Sequence, residues 1–522
     1  VNILEPDNVV QVPRTSRVFE DTKMWVEEAI FGHRLYARQN PWLLFLEFLN
    51  VAEAHFREGK LFQATAPDVA APYSLRWRLG LRSVLFDNPQ LARLAEEEID
   101  DDTLWERWMA VMADNGAAPP AEGFGYLKQR FPRFSDFVEL VTLVRQTSLE
   151  TSNNVRWSSR FIFPFGVNAI YSDAAISQRT PRRDYTNFGR TGELIYMMLS
   201  RSDGGEALRD HFAELFNPEL PKNRLIGLLC ADSDHRAPLE MAGNSFLPYR
   251  THPAFNRLAA DWLAILALGL PGQDAYAHLA PLGSLHVLLY SLETAAAVVG
   301  RAERPHLICE IIAPRRELVR QRSIACYYAN DALSRQAAER YAETLLASED
   351  WQALNDEALS EDERLQLAAD LLDRDFGYAP KELHLSTADD LLQQFRQALE
   401  VKHDENWSAV HPAYGRGIGL VSRRGTNRNR YAPTDDLLKT LVMARVPRRL
   451  EFGKFLADLY EHYGLVFGPV EAKTALEEAN FDTTAFERNR ERLELRLNSM
   501  GLLKRLSDAC AYVENPFAGH AS

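Results

Sequence analysis

The chain has 522 residues, 46% of them hydrophobic and 25% charged, an ordinary globular composition but more length than one hydrophobic core usually organises. Its formal net charge of -14 disfavours nonspecific coating of nucleic acid, because such a body repels a phosphate backbone at long range. Any contact with a polyanion has to be local. Four cysteines, Cys230, Cys309, Cys326 and Cys510, lie far apart with no C-x-x-C pair, which argues against a disulfide framework or a zinc ribbon and fits a reducing cytoplasm. Val1 to Asp7 lack a basic segment followed by an apolar one, so no signal peptide is expected. The greasiest runs, Trp262 to Leu270 and Leu285 to Val299, are too short or interrupted to span a bilayer, and no membrane contact is expected.

A mainly α fold with short strands is expected, in three parts: a helical region over 1–150, an α+β region over 151–405, and a basic segment with a helical unit over 406–522. In the first part Asn40-Pro41 starts a helix through the apolar run Trp42 to Leu49, since proline suits a first helical turn. Glu47, the one charge in that run, is expected to pair with Arg34 or Arg38, and His33 to be structural. The acids between Glu96 and Asp102 could recruit a divalent cation, but acids favour a first helical turn, so a solvated cap for a helix opening at Thr103 is expected. Asp114 to Gly123 reads as a loop.

In the middle part Arg160 to Gly166 reads as extended and Leu307 to Ile312 as a buried strand. Gly192 to Ser200 and Leu285 to Val299 read as buried helices, the second stopped by Gly300. Further helices are expected over 331–347, 360–373 and 386–401, the last with Ser386 as N-cap.

The segment 415–455 is unlike its host. It carries ten Lys or Arg against three Asp or Glu, a local charge of +7. It opens Gly415-Arg416-Gly417-Ile418-Gly419 and continues from Ser422 to Tyr431 with Arg423, Arg424, Arg428 and Arg430. Guanidiniums separated by Gly, Thr and Asn can reach phosphates with little hindrance, and each such contact releases counterions. The bland reading is a solvent-exposed loop that balances the acidic body.

After Thr434, the positions Leu437, Leu438, Leu441, Val442 and Val446 give one helical face, stopped by Pro447; Phe452, Phe455, Leu456, Leu459, Tyr460 and Tyr463 give a second before Gly464. A strand at Leu465 to Phe467, a helix from Pro469 to Glu478, a long helix capped by Thr484 with Glu487 and ended by Gly501, and strands at Leu502 to Leu506 and Ala511 to Val513 follow. This order resembles the winged-helix family over about the last 85 residues. The resemblance implies a last long helix in the major groove and a hairpin on the backbone. That puts Arg488, Arg490, Arg492 and Arg496 on the groove side, with Lys504 and Arg505 in the wing. Glu487, Glu491 and Glu494 on the same helix depart from that pattern and leave open a protein-interaction adaptor without DNA contact.

Trp42-Leu43-Leu44, Arg190-Thr191-Gly192-Glu193-Leu194 and the tail from Leu506 to Val513 together resemble uncharacterised bacterial proteins of anti-phage defence and DNA-modification loci. That resemblance implies a large complex with an ATPase, nuclease or methyltransferase as partner.

Catalytic signatures are weak. Gly419 to Thr426 has the wrong spacing for a phosphate-binding loop and no lysine, and no H-E-x-x-H, G-x-S-x-G or dinucleotide fingerprint occurs. Cys230-Ala231-Asp232-Ser233-Asp234-His235 gathers soft and hard ligands at no established metal-site spacing. Glu310 and Asp232 are the carboxylates a metal-dependent nuclease or other hydrolase would use, although Ile312 stands where such a nuclease fold needs lysine. Arg315, Arg316, Arg320 and Arg322 read as a charged helix face. The expectation is a noncatalytic, cofactor-free and metal-free cytoplasmic subunit that binds double-stranded DNA through the arginines and lysine named above, Arg416 included.

Overall fold

The structure, a computed structural model, describes residues 3–10, 25–32, 35, 41–63, 71–72, 77–79, 89–114, 124–146, 172–177, 180–183, 191–229, 244–270, 272–311, 314, 317–378, 387–425, 427–476, 482–507 and 510–518. It is mainly α-helical with short strands in small sheets. Its longest described helix, Gly272–Val299, is apolar on every side, and a helix hydrophobic all round belongs inside a core. Asp274–Val299 is long and apolar enough to cross a membrane, yet 78% of its apolar window is buried in the protein. Helices Pro41–Arg57, Pro253–Leu266, Leu333–Leu346 and Val410–Gly417 surround it.

Helix Thr191–Ser200 is buried at every residue and crosses helix Pro41–Arg57 at Gly192. A Cβ at Gly192 would overlap the Glu47 side chain and the Phe48 amide, so only glycine permits this approach. Glu47 accepts a hydrogen bond from the Gly192 amide at 3.0 Å, answering one of the unpaired donors of a helix start. Among the described residues the Gly192 amide is one partner of Glu47; Arg34, Arg38 and His33 lie outside them.

Three apolar cores form among the described residues, the smallest where Ile308, Val319 and Val466 meet Phe486 of helix Thr483–Ser499. The largest draws on residues from Val26 to Val513. A smaller one, around Trp105, Trp108, Phe134 and Phe137, is built from helices Pro89–Ala95, Asp101–Asp114, Gly125–Arg130 and Phe134–Gln146. In it the acids are caps: Asp100 accepts from the Thr103 amide (2.9 Å) and hydroxyl (2.7 Å).

At the C-terminal end, helix Asp435–Arg445 is followed by strand Arg449–Glu451, helices Phe452–Tyr463, Pro469–Leu476 and Thr483–Ser499, and a hairpin of strands Leu503–Ser507 and Cys510–Glu514. The hairpin and Arg449–Glu451 form one antiparallel sheet in which 510–514 is central, with Val513 between Leu503 and Leu450. Strand Leu465–Val466 leaves that sheet to pair in parallel with Leu307–Ile308, tying the unit to the middle of the chain. Asn489, buried on helix Thr483–Ser499, strengthens this tie. Its amide donates to the Cys309 and Phe467 carbonyls (2.9 Å each) and accepts from the Ile311 amide (2.8 Å).

Several local expectations change. The helix expected over 331–347 is found as Leu333–Leu346, and a further helix, Leu318–Asp331, directly precedes it. Helix Ala388–Asn406 is capped by Thr387, whose hydroxyl accepts from the Asp390 amide; Ser386 lies outside the described residues. Helix Thr483–Ser499 is capped by Asp482, accepting from the Thr484 amide at 3.0 Å, in place of a Thr484 and Glu487 box. The shorter aspartate, two residues earlier, meets the free amide directly. The 160–166 segment lies outside the described residues.

Candidate nucleic-acid interface

Strands Val421–Ser422 and Arg430–Tyr431 form a short antiparallel hairpin that projects Arg423, Arg424 and Arg428 into solvent. Its root is rigid. Asn429, buried, donates to the Tyr327 hydroxyl at 3.0 Å and accepts from Arg423 Nε at 2.6 Å. Arg430 differs from its neighbours: it is only 4% exposed, and its Nε donates to Glu310 at 2.9 Å while Nη2 donates to the Arg424 carbonyl at 2.9 Å. It is therefore a staple of the hairpin, and its place among phosphate contacts is corrected. Burial selects it, because a guanidinium withdrawn from water needs a carboxylate.

Glu310 is tied down equally firmly. Arg320 clamps it through two hydrogen bonds of 2.6 Å, so its oxygens face two guanidiniums in a triad with net charge +1. A divalent ion there would have to displace both cations and add its own charge to the excess. The expectation of Glu310 as a metal ligand is corrected on that ground. Asp232 and the Cys230 to His235 cluster lie outside the described residues, as do Arg315 and Arg316.

On helix Thr483–Ser499 and the terminal hairpin the charges divide. Arg488, Arg490 and Lys504 are exposed, with the Arg490 guanidinium 5.5 Å from the Phe452 ring centre. Arg492 pairs with Glu317 (2.7 Å), Arg496 with Asp435 (2.5 Å) and Arg505 with Glu494 (3.1 Å). Those three are satisfied within the chain. Arg416, exposed at the end of helix Val410–Gly417, lines a cavity between that helix and the helical body.

The two basic elements flank one piece of backbone. The Glu310 amide donates to the Tyr431 carbonyl at 2.9 Å, and the residues on either side of Glu310 bind Asn489. Hairpin 421–431 and helix 483–499 are thus fixed on opposite sides of residues 309–311. The glycines of 415–419 serve packing: Gly419 has φ +77 and a Cβ there would strike the Thr434 side chain.

A buried polar hub joins this unit to the helical body, and its residues are absent from the expected sites. Asp261, fully buried on helix Pro253–Leu266, accepts from His286 Nε2 (2.7 Å) and the Tyr463 hydroxyl (2.6 Å), with His462 Nε2 at 2.9 Å and Arg445 Nη1 at 3.3 Å. Burial pushes the Asp261 carboxyl up, but the imidazoles of His286 and His462 bring it well below its ordinary value. Burial holds His286 neutral, with a pKa lowered to about 4 against the opposing pull of Asp261. Asp261, His286 and His462 could by type hold a metal, their ligating atoms lying within 4.8 Å of one another. Arg445, which also pairs with Asp458 at 2.8 Å, already supplies the positive charge, so the geometry is that of a structural clamp. The available signal was Asp261 itself, a single acid inside the apolar run Leu258 to Leu266. A second clamp lies beside it: Glu293 holds Arg257 (2.5 Å) and Arg304, and Arg304 donates to the Glu461 and His462 carbonyls that end helix Phe452–Tyr463.

Compared with known protein families the chain matches no family model, and no curated protein matches its sequence.

Proposed function

We propose that this protein is a noncatalytic DNA-binding subunit of a bacterial multiprotein complex, acting in anti-phage defence beside an ATPase, nuclease or methyltransferase. The carrying observation is that Arg423, Arg424 and Arg428 stand exposed on a hairpin whose root is pinned by the buried Glu310 triad. Three arginines carried on a pinned hairpin lose less backbone freedom on meeting a phosphate backbone than three on a loose loop. The sheet order at the C-terminal end, with Arg449–Glu451 beside the returning strand of the terminal hairpin, supports a winged-helix reading of that unit. Arg488, Arg490 and Lys504 are its exposed cations.

The test is duplex-DNA binding by fluorescence anisotropy across a salt series, for the native chain and an R423A/R424A/R428A variant. The variant is expected to bind at least about 10-fold more weakly, with a salt slope reduced by about 0.9 for each phosphate it no longer neutralises. Unchanged affinity and slope would remove the DNA reading.

The second reading, a protein-interaction adaptor, draws on Leu495 at 68% and Leu506 at 56% exposure beside the acids of helix Thr483–Ser499. Under it the same variant retains any partner binding, while L495D abolishes it.

A further inference from the structure

The basic segment also builds one wall of an open cavity of about 660 Å³, bordered as well by the starts of helices Pro41–Arg57 and Gly272–Val299 and by Phe517. From the geometry we infer that this cavity is a binding site for a nucleoside phosphate, either a free nucleotide or the terminal nucleotide of a strand. The site stands or falls separately from the hairpin's contact with duplex DNA.

Size and lining set the ligand class. A cavity of this volume suits a small organic molecule and is far larger than a single inorganic anion needs. Trp42 and Phe517 offer aromatic surface for a base, backed by Leu270, Pro281, Ile418 and Met443. Two cations, Arg416 and Lys439, line it, and among the described residues neither forms an ion pair with a carboxylate. Lys439 instead lies 5.4 Å from the Phe517 ring centre. Asp274 and Asp436, also in the lining, suit sugar hydroxyls, which need acceptors. A purely apolar ligand would leave all four charges unanswered.

His278 adds specificity. The Thr440 hydroxyl donates to the Asp436 carbonyl at 2.9 Å, so its oxygen accepts from His278 Nδ1 at 2.8 Å. That fixes the proton on Nδ1 and leaves the Nε2 lone pair as an acceptor for an N–H or amino group of a base. Burial, helped by Lys439, lowers the His278 pKa to about 4 and keeps the ring neutral near pH 7.

The experiment is isothermal titration of the full chain with each of the four nucleoside 5′-monophosphates, with adenosine, and with inorganic phosphate. At least one monophosphate is expected to bind at least about 10-fold tighter than adenosine or phosphate alone. R416A and K439M are each expected to weaken it by about 10-fold or more, with unchanged thermal melting, while R423A/R424A/R428A leaves it intact. H278A should change the preference among bases. Competition by a 5′-phosphorylated overhang duplex identifies a strand terminus as the source; its absence identifies a free nucleotide. No binding of any monophosphate up to about 1 mM, or binding indifferent to R416A and K439M in folded protein, overturns the inference.

Discussion

Hairpin 421–431 and helix 483–499 each carry four arginines, and the structure treats them in opposite ways. In the hairpin three are exposed and one is buried; in the helix two are exposed and two are neutralised by acids from elsewhere in the chain. The difference lies in which carboxylates come within reach. Residues 415–434 contain no acid, and among the described residues the hairpin meets Glu310, brought to it from 120 positions away. The helix packs against Glu317 and Asp435 and carries Glu494, which binds Arg505 of the terminal hairpin. Local charge density in a sequence therefore overstates exposed charge wherever the fold supplies acids.

The largest effect is expected at the root of that contrast. E310A leaves Arg320 and Arg430 buried without their carboxylate and is expected to cost about 3–5 kcal/mol, read from urea unfolding. It should also release the hairpin, raising the exchange rate of the Tyr431 amide, which is held by the Ser323 hydroxyl at 3.0 Å. D261A is expected to cost a similar amount, about 3–5 kcal/mol by the same measurement, by stripping the clamp that joins the C-terminal unit to the helical body. An effect below about 1 kcal/mol for either would show that the buried pairs are incidental.

Acid probes the buried imidazoles of the helical body, which the hairpin lacks. Burial lowers the pKa of His252, His278 and His286 to about 4, from 6.5 for a free imidazole. Each therefore binds a proton more readily unfolded than folded. Stability from these groups is complete above about pH 6.5 and falls as pH drops toward 4, with a slope approaching three protons per molecule. Melting curves between pH 7.5 and 4.5 check it; a flat profile would contradict the buried neutral imidazoles. Asp261 acts in a lower window, since its depressed pKa keeps it ionised throughout that range.

Smaller effects separate the two basic elements. R424A should leave stability within about 0.5 kcal/mol, since its side chain is exposed, whereas R423A takes the donor from buried Asn429 and should cost about 1–2 kcal/mol. R492A and R496A should each cost about 1 kcal/mol or less, because their pairs are partly solvated.

What the sequence disclosed followed from periodicity. The apolar spacing from Phe452 to Tyr463 gave that helix its bounds, and the short runs Leu502 to Leu506 and Ala511 to Val513 were legible as the strands of the terminal hairpin. Pairings between distant positions were not legible. Nothing near Arg430 announces Glu310, and Asp261, His286 and His462 meet only because three helices and their connections place them together. The glycines of 415–419 had no legible role either: a residue lacking a Cβ serves close packing and an open loop equally well, and at Gly419 the position of Thr434 decides it.

The most direct test pairs two triple variants in one salt series: R423A/R424A/R428A, which removes exposed cations, and R492A/R496A/R505A, which removes as many that are already neutralised. If exposed hairpin arginines carry the phosphate contacts, the first flattens the dependence of duplex affinity on salt by about 2–3 in slope while the second leaves it within error of the native chain. Equal losses from both, or none from the first, would contradict that.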